Sequence, residues 1–210
     1  ELEAAEDDIL YHNGRFQVTG TSIGFGLFDL ASKQPQKCIS TETEKTVEGR
    51  SWPNGCHIAE VEIDPETGRV FLASYGNVDD TGNMINPMIV EGQIKGGIAQ
   101  GAGQVLLEQS VYDSEGQLLT ASFMDYAMPR ADDLPLIQSS TFTDAPCLTN
   151  PLGAKGVGEI GTVGSIPTIA NAILDALWDQ GVRKFDMPAY PQKIWELIQD
   201  TKNLRQNLFC

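Results

Sequence analysis

The order of patterns along these 210 residues predicts an α+β fold in which antiparallel hairpins pack against helices. Three observations carry that expectation. Asn13-Gly14 sits between two short β-prone runs, which is a strong local hairpin signal. CHIAEVEID (56–64) places His57, Ala59, Val61 and Ile63 on one side of a strand, and DPETG (64–68) is turn chemistry ahead of RVFLASYGNV (69–78). The last third carries apolar residues at i, i+3 and i+4 spacing. Strand and helix patterns do not alternate one for one, which argues against a doubly wound sheet.

The remaining elements follow in order. Residues 1–50 read as the first hairpin plus an exposed polar connection from Ser32 to Asn54, continuing a domain that lies upstream; residues 51–210 read as a second portion. A helix is predicted over 87–109, with Ile89, Ile94, Ile98, Val105 and Leu106 as its apolar stripe. SVYDSEGQLLTASF (110–123) reads as another hairpin turning at Ser114-Glu115-Gly116, and IQSSTF (137–142) as a strand. Ser165 is the expected cap of a helix with Pro167 in its first turn and Ile166, Ile169, Ala170, Ile173, Leu174 and Leu177 facing inward, closed by Gly181. A last helix runs from Pro191 to about Thr201 with Ile194, Leu197 and Ile198 on one face, and the tail to Cys210 frays or leans on a neighbour.

Composition excludes several classes of function. With 14 basic and 29 acidic side chains the net charge is −15, so nothing draws this surface to nucleic acid or an anionic membrane. No apolar run approaches the ~20 residues of a membrane helix, and the acidic start is not a secretory signal, so the expected location is cytoplasmic. Cys38, Cys56, Cys147 and Cys210 are scattered without a C-x-x-C pair and are read as reduced. Two histidines and no H-E-x-x-H leave no protein-ligated metal site, so any metal would arrive on a cofactor. His57 reads as a core histidine without an evident partner, and Trp52, Trp178 and Trp195 as core or interface fillers.

Two segments could carry chemistry. Glycines 92, 96, 97, 101 and 103 each cost a helix interior about 1 kcal/mol relative to alanine, so something must come close to that backbone. Either the helix packs tightly on a sheet with its glutamines solvated, or a planar ligand approaches and Gln93, Gln100 and Gln104 address its ring nitrogens and carbonyls. The second segment, GAKGVGEIGT (153–162), contains G-x-G-x-x-G at Gly156, Gly158 and Gly161. A dinucleotide reading fails for want of a buried strand ahead of it, and only a parallel strand running into Gly156 would revive it. What is left is a glycine loop whose N–H groups can form an anion nest before a helix, with Glu159 in its middle. Glu159 is either a base shielded from water or a solvated carboxylate in a flexible loop. Lys155, Lys95 and Arg130 are candidate anion contacts.

Taken in order, PNGCHIAEVEID (53–64), GQIKGGIAQG (92–101), SFMDYAMPR (122–130) and GAKGVGE (153–159) resemble the C-terminal part of molybdenum hydroxylase large subunits. This is the superfamily of xanthine dehydrogenase, aldehyde oxidase and aerobic carbon monoxide dehydrogenase. The resemblance implies that residues 51–210 are the C-terminal portion of a molybdopterin-binding domain and that Glu159 is the active-site general base. It further implies that Gly96, Gly97, Gln100 and Gly101 neighbour the pterin, with Lys155, Gly156, Val157 and Gly158 shaping the site.

The implied cofactor is molybdenum–molybdopterin, with or without a cytidine nucleotide, and a 2Fe-2S cluster and FAD are expected on other subunits or domains. The implied partners are the rest of the molybdopterin subunit, the iron–sulfur and flavin subunits, and a small-molecule substrate. Large subunits of this superfamily are several times longer, so the chain reads as a piece inactive by itself, with an apolar face toward what is missing. A non-catalytic assembly module of such a complex, or a nucleotide-binding protein using GVGEIG, are the alternatives.

Overall fold

The computed structural model describes residues 1–44, 46–47 and 49–208, with side chains to residue 202. The chain divides into two compact units, Glu1–Thr46 and Val47–Cys210. In the first, β1 (Ile9–His12), β2 (Arg15–Val18) and β3 (Gly24–Gly26) form an antiparallel sheet in that order, followed by the short helix α1 (Leu27–Ser32). The β1–β2 connection is Asn13-Gly14, both at positive φ (48° and 76°), the geometry that the Asn-Gly pair favours. Between α1 and residue 54 the described residues form no helix or strand, as the polar sequence predicts.

The second unit is built on β4 (Asn54–Ile63) and β5 (Val70–Asp80), an antiparallel pair with a register shift at Glu60/Val61. The Asp64–Arg69 turn closes it, with the Asp64 carboxylate accepting from the Glu66 N–H and the Thr67 hydroxyl. IQSSTF forms β6 (Ile137–Phe142), which pairs parallel to the far half of β5 and completes the order β4-β5-β6. Residues 110–123 are not a hairpin of strands. One bridge, Tyr112 to Leu118, spans a turn in which the Asp113 carboxylate takes the N–H groups of Glu115 and Gln117, and the flanking chain lies largely in solvent.

Helices cover the sheet. α2 (Pro87–Leu106) is capped by the Asn86 side chain, which accepts from the Ile89 N–H. Its inward stripe is Val90, Ile94, Ile98, Val105 and Leu106; Ile89, expected inside, is 62% exposed. α3 (Ile160–Trp178) begins five residues before the predicted cap. Ser165 is fully buried inside the helix and Pro167 also lies within it, because the first turns are fixed by packing on α2 and not by side-chain capping. Ile169, Ile173 and Leu177 are fully buried, while Ile166, Ala170 and Leu174 pack partly buried around them.

At 19 residues α3 is long and apolar enough to resemble a membrane span, but its inward stripe is the core of this unit. α4 (Pro191–Leu208) extends beyond the expected Thr201 and adds Ile194 and Ile198 to the same core; Cys210 lies outside the described residues. Cys38, Cys56 and Cys147 are free thiols. All three tryptophans are well exposed, contrary to a core role, and Arg183 lies over the ring of Trp178. Phe123, Met124, Leu136 and Leu148 are each more than four-fifths exposed.

The α2–α3 contact accounts for two of the costly glycines. A Cβ on Gly97 would stand 2.9 Å from the Thr162 nitrogen and 3.1 Å from the Gly161 Cα, and one on Gly101 would collide with the Ser165 hydroxyl. Around Gly92 and Gly96 there is nothing within 4 Å. Gly101→Val should therefore cost about 1–3 kcal/mol by overpacking. Gly96→Ala should be neutral or stabilising by up to about 1 kcal/mol. Denaturant unfolding of the two variants against the parent checks the contrast.

Candidate functional site

The glycine-rich segment ahead of α3 is a stitched loop, not a flexible one. Asn150 folds it back on itself, its amide nitrogen donating to the Ala154 carbonyl (2.9 Å) and its oxygen accepting the Ala154 N–H (3.2 Å). Gly153 needs its positive φ of 66° and has no room for a side chain beside Asn83, and its carbonyl accepts the N–H groups of Asn83 and Cys147. The Lys155 N–H then donates to the Thr81 carbonyl while its ammonium pairs with Asp80 at the end of β5. Three residues on, the Gln93 amide of α2 donates to the Gly158 carbonyl at 2.8 Å. The loop is thus pinned at one end to β5 and at the other to α2.

No parallel strand enters Gly156. Ahead of it there is one antiparallel bridge, Ala154 to Gly82, so the dinucleotide-fingerprint geometry is absent from this segment.

Glu159 occupies the N-cap position of α3, its carbonyl accepting the Val163 N–H that closes the first turn. Its carboxylate does not cap the helix and has no hydrogen bond or ion pair among the described residues. It faces a cleft of about 560 Å³ shared with Trp52, His57, Asp79, Gly156, Gly158 and Val163. The shielding from water anticipated for this group is not provided here: Glu159 is exposed. The N–H groups of Gly156, Val157 and Gly158 donate to nothing among the described residues, and a Cβ on Gly156 or Gly158 would meet nothing. Open backbone donors beside a helix N-terminus suit a ligand carrying anionic or carbonyl oxygens.

The other expected site residues separate into two groups. Gln93, Gly96 and Gln100 share one exposed face of α2 at i, i+3 and i+7. Gln100 accepts the Thr162 hydroxyl at 3.0 Å through its carbonyl oxygen, which leaves its amide N–H groups available. Gly97 and Gly101 are buried in the α3 contact instead of lying on that open face. Val157 packs on the core, Lys155 is held by Asp80, and Lys95 pairs with Glu91 on the helix surface.

His57 does have partners, in a buried network that the sequence does not announce. Its Nδ1 lies 2.7 Å from the Tyr75 hydroxyl and its Nε2 3.0 Å from Asp79 Oδ1, and Asn77 donates to the second Asp79 oxygen at 2.6 Å. Tyr75, Asn77 and Asp79 are nearly or fully buried, and burial followed by the Asp79 charge pushes the Tyr75 hydroxyl well above the usual phenol range. The only sequence signal is period two: residues 75, 77 and 79 point to one side of β5, and His57 lies on the paired strand.

The chain belongs to the molybdopterin cofactor-binding domain family, whose description matches residues 1–135 and so runs through both units. It is 33% identical over 207 residues to the 6-hydroxypseudooxynicotine dehydrogenase complex subunit gamma of Paenarthrobacter nicotinovorans, covering 94% of this chain and 26% of that protein. Among solved structures it superposes on reconstituted CO dehydrogenase from Oligotropha carboxidovorans with a TM-score of 0.86 and 29% identity, covering 97% of this chain and 26% of that one. Quinoline 2-oxidoreductase from Pseudomonas putida 86 gives a TM-score of 0.79 at 36% identity, covering 95% and 27%. The chain therefore spans about a quarter of the length of these relatives.

The Lys155–Asp80 pair supplies a pH test of the loop's anchor. The Lys155 hydrogen bond, aided by the Gly82 N–H, holds the Asp80 carboxyl below the usual carboxylate range. A depressed folded value means the contribution is complete above about pH 4 and is lost as pH falls through that value. Lys155→Met should lower the unfolding midpoint at neutral pH, and the gap between variant and parent should close under acid conditions; midpoints measured from pH 7 downward check this.

Proposed function

We propose that this chain is part of the large subunit of a molybdenum hydroxylase. The reaction would be the hydroxylation of a small aldehyde or N-heterocycle, or the oxidation of carbon monoxide, with water as the oxygen source. The observation that carries the reading is the placement of Glu159. A carboxylate free of capping and pairing stands at the end of a rigid glycine loop, beside unpartnered backbone N–H groups and the open face of α2.

The residues fit a molybdopterin. Gly96, Gly156 and Gly158 leave the backbone bare where a planar or phosphate-bearing group would approach, and adding a Cβ there meets no protein atom. The Gln100 amide and the N–H groups of residues 156–158 offer donors to its carbonyl, ring-nitrogen or phosphate oxygen and nitrogen atoms. When bound, the cofactor supplies two-electron oxidation with transfer of an oxygen atom derived from water.

Glu159 would accept the proton released from the attacking oxygen, as general base. Gln93 fixes the loop through the Gly158 carbonyl, so the carboxylate is aimed before substrate arrives. Enclosure by the rest of the subunit would give Glu159 the water exclusion it lacks here, and the exposed Phe123, Met124 and Leu148 suit burial against further protein. A 2Fe-2S cluster and FAD on other subunits or domains would carry the electrons away, in a cytoplasmic complex.

Replacing Glu159 by glutamine keeps the shape and removes the base. In the assembled enzyme, Glu159→Gln should lower kcat by at least about 100-fold, the low end for loss of a positioned base. Molybdenum content per large subunit, measured by elemental analysis, should be unchanged. Full activity in that variant would leave an assembly module that binds its partners without taking part in the chemistry.

A further inference from the structure

We propose that His57, fixed between Asp79 and Tyr75, is a positioning residue that sets where α3 begins and so where Glu159 stands. The inference rests on the reading of Glu159 as the base. Asp79 is fully buried and accepts at both oxygens, from Asn77 and from His57 Nε2. A carboxylate at Nε2 assigns the ring proton to that nitrogen, so Nδ1 accepts the Tyr75 hydroxyl. Both ring nitrogens are thereby occupied and the ring is locked in orientation. Both nitrogens bond to neighbours within the protein, and the role argued for His57 is exerted through contact.

That contact is with α3. A Cβ at Gly164 would lie 2.5 Å from His57 Cε1, 2.6 Å from Nε2 and 2.7 Å from Nδ1, so the imidazole lies directly against the helix backbone there. The Gly164 carbonyl accepts the Thr168 hydroxyl at 2.7 Å, which closes the same turn. On the other flank, Gly161 is packed against the Ile94 carbonyl and Gly97 of α2. The opening turns of α3 are thus held from two sides, by α2 at Gly161 and by His57 at Gly164. Glu159 makes no side-chain bond of its own, so its position follows from this start together with the Gln93 bond to the Gly158 carbonyl. His57, Asp79 and Glu159 also line one cleft, which places the support directly behind the group it supports.

The test uses the complete holoenzyme with three variants. His57→Phe keeps a flat ring and loses both hydrogen bonds; Tyr75→Phe removes a single hydroxyl and keeps the packing; Glu159→Gln is the control. The readouts are molybdenum per large subunit, kcat per bound molybdenum, KM, and deuterium uptake of the amides of residues 160–164. Displacing an aimed group by about 1 Å costs up to about 100-fold, so His57→Phe should lower kcat per bound molybdenum by about 10- to 100-fold. KM should stay nearly constant, deuterium uptake in the first turns of α3 should quicken, and Tyr75→Phe should show the same changes at smaller size.

A merely structural His57 would lower the unfolding temperature or the molybdenum content while leaving kcat per bound molybdenum and the 160–164 uptake unchanged, and that result overturns the inference. If His57→Phe does not assemble, Tyr75→Phe decides by the same criteria. Loss of activity in Glu159→Gln with normal kcat in the other two refutes the positioning role alone, whereas full activity in Glu159→Gln refutes the base reading beneath it.

Discussion

The close approach of α2 and α3 is the constraint on which the rest depends. It is possible because Gly97, Gly101 and Gly161 present bare backbone where the helices meet, with the buried Ser165 hydroxyl filling the notch at Gly101. Glycine in a helix interior loses about 1 kcal/mol relative to alanine. Here that loss is offset by the burial of Ile94, Ile98, Ile169 and Ile173 in one core, each at full burial. Once the two helices are at this distance, the start of α3 lies within reach of Gln93, and the glycine loop has a fixed place to end.

The end of β5 supplies the second support. Because successive residues of a strand face opposite ways, Asp79 and Asp80 act on different structures. Asp79 turns inward to His57 and Asn77, behind the first turns of α3, and Asp80 turns to Lys155, at the head of the glycine loop. The segment from Lys155 to Gly164, which carries Glu159, is therefore held near one end by Asp80 through the Lys155 ammonium and meets at the other the imidazole that Asp79 holds. The Glu159 carboxylate is bound to neither, and a carboxylate without a structural partner on a rigid support is what base chemistry requires.

Much of this was legible in the sequence where a local rule decides the outcome. Asn13-Gly14 specified its hairpin, alternation from His57 to Ile63 specified β4, and the stripe of Ile169, Ile173 and Leu177 specified the inward face of α3. Rules failed where tertiary contacts override them. Ser165-Pro167 has the chemistry of a helix start, yet helix packing at Gly161 carries α3 back to Ile160. Residues 110–123 carry a turn signal without a surface to pair on, so one bridge forms instead of two strands. The glycines of α2 look alike in sequence and divide in space, Gly97 and Gly101 into the helix contact and Gly96 onto the open face. The partners of His57 were invisible because they lie 18 and 22 residues away, across a strand pair.

The role of Glu159 is tested by the location of the metal in the assembled large subunit. Diffraction data collected on either side of the molybdenum absorption edge would place it without reference to any prior structure. One anomalous peak is expected at the mouth of the 156–159 loop, on the side of the Glu159 carboxylate and the open face of α2. A peak remote from that loop, or molybdenum bound while Glu159 points away from it, would rule out Glu159 as the base.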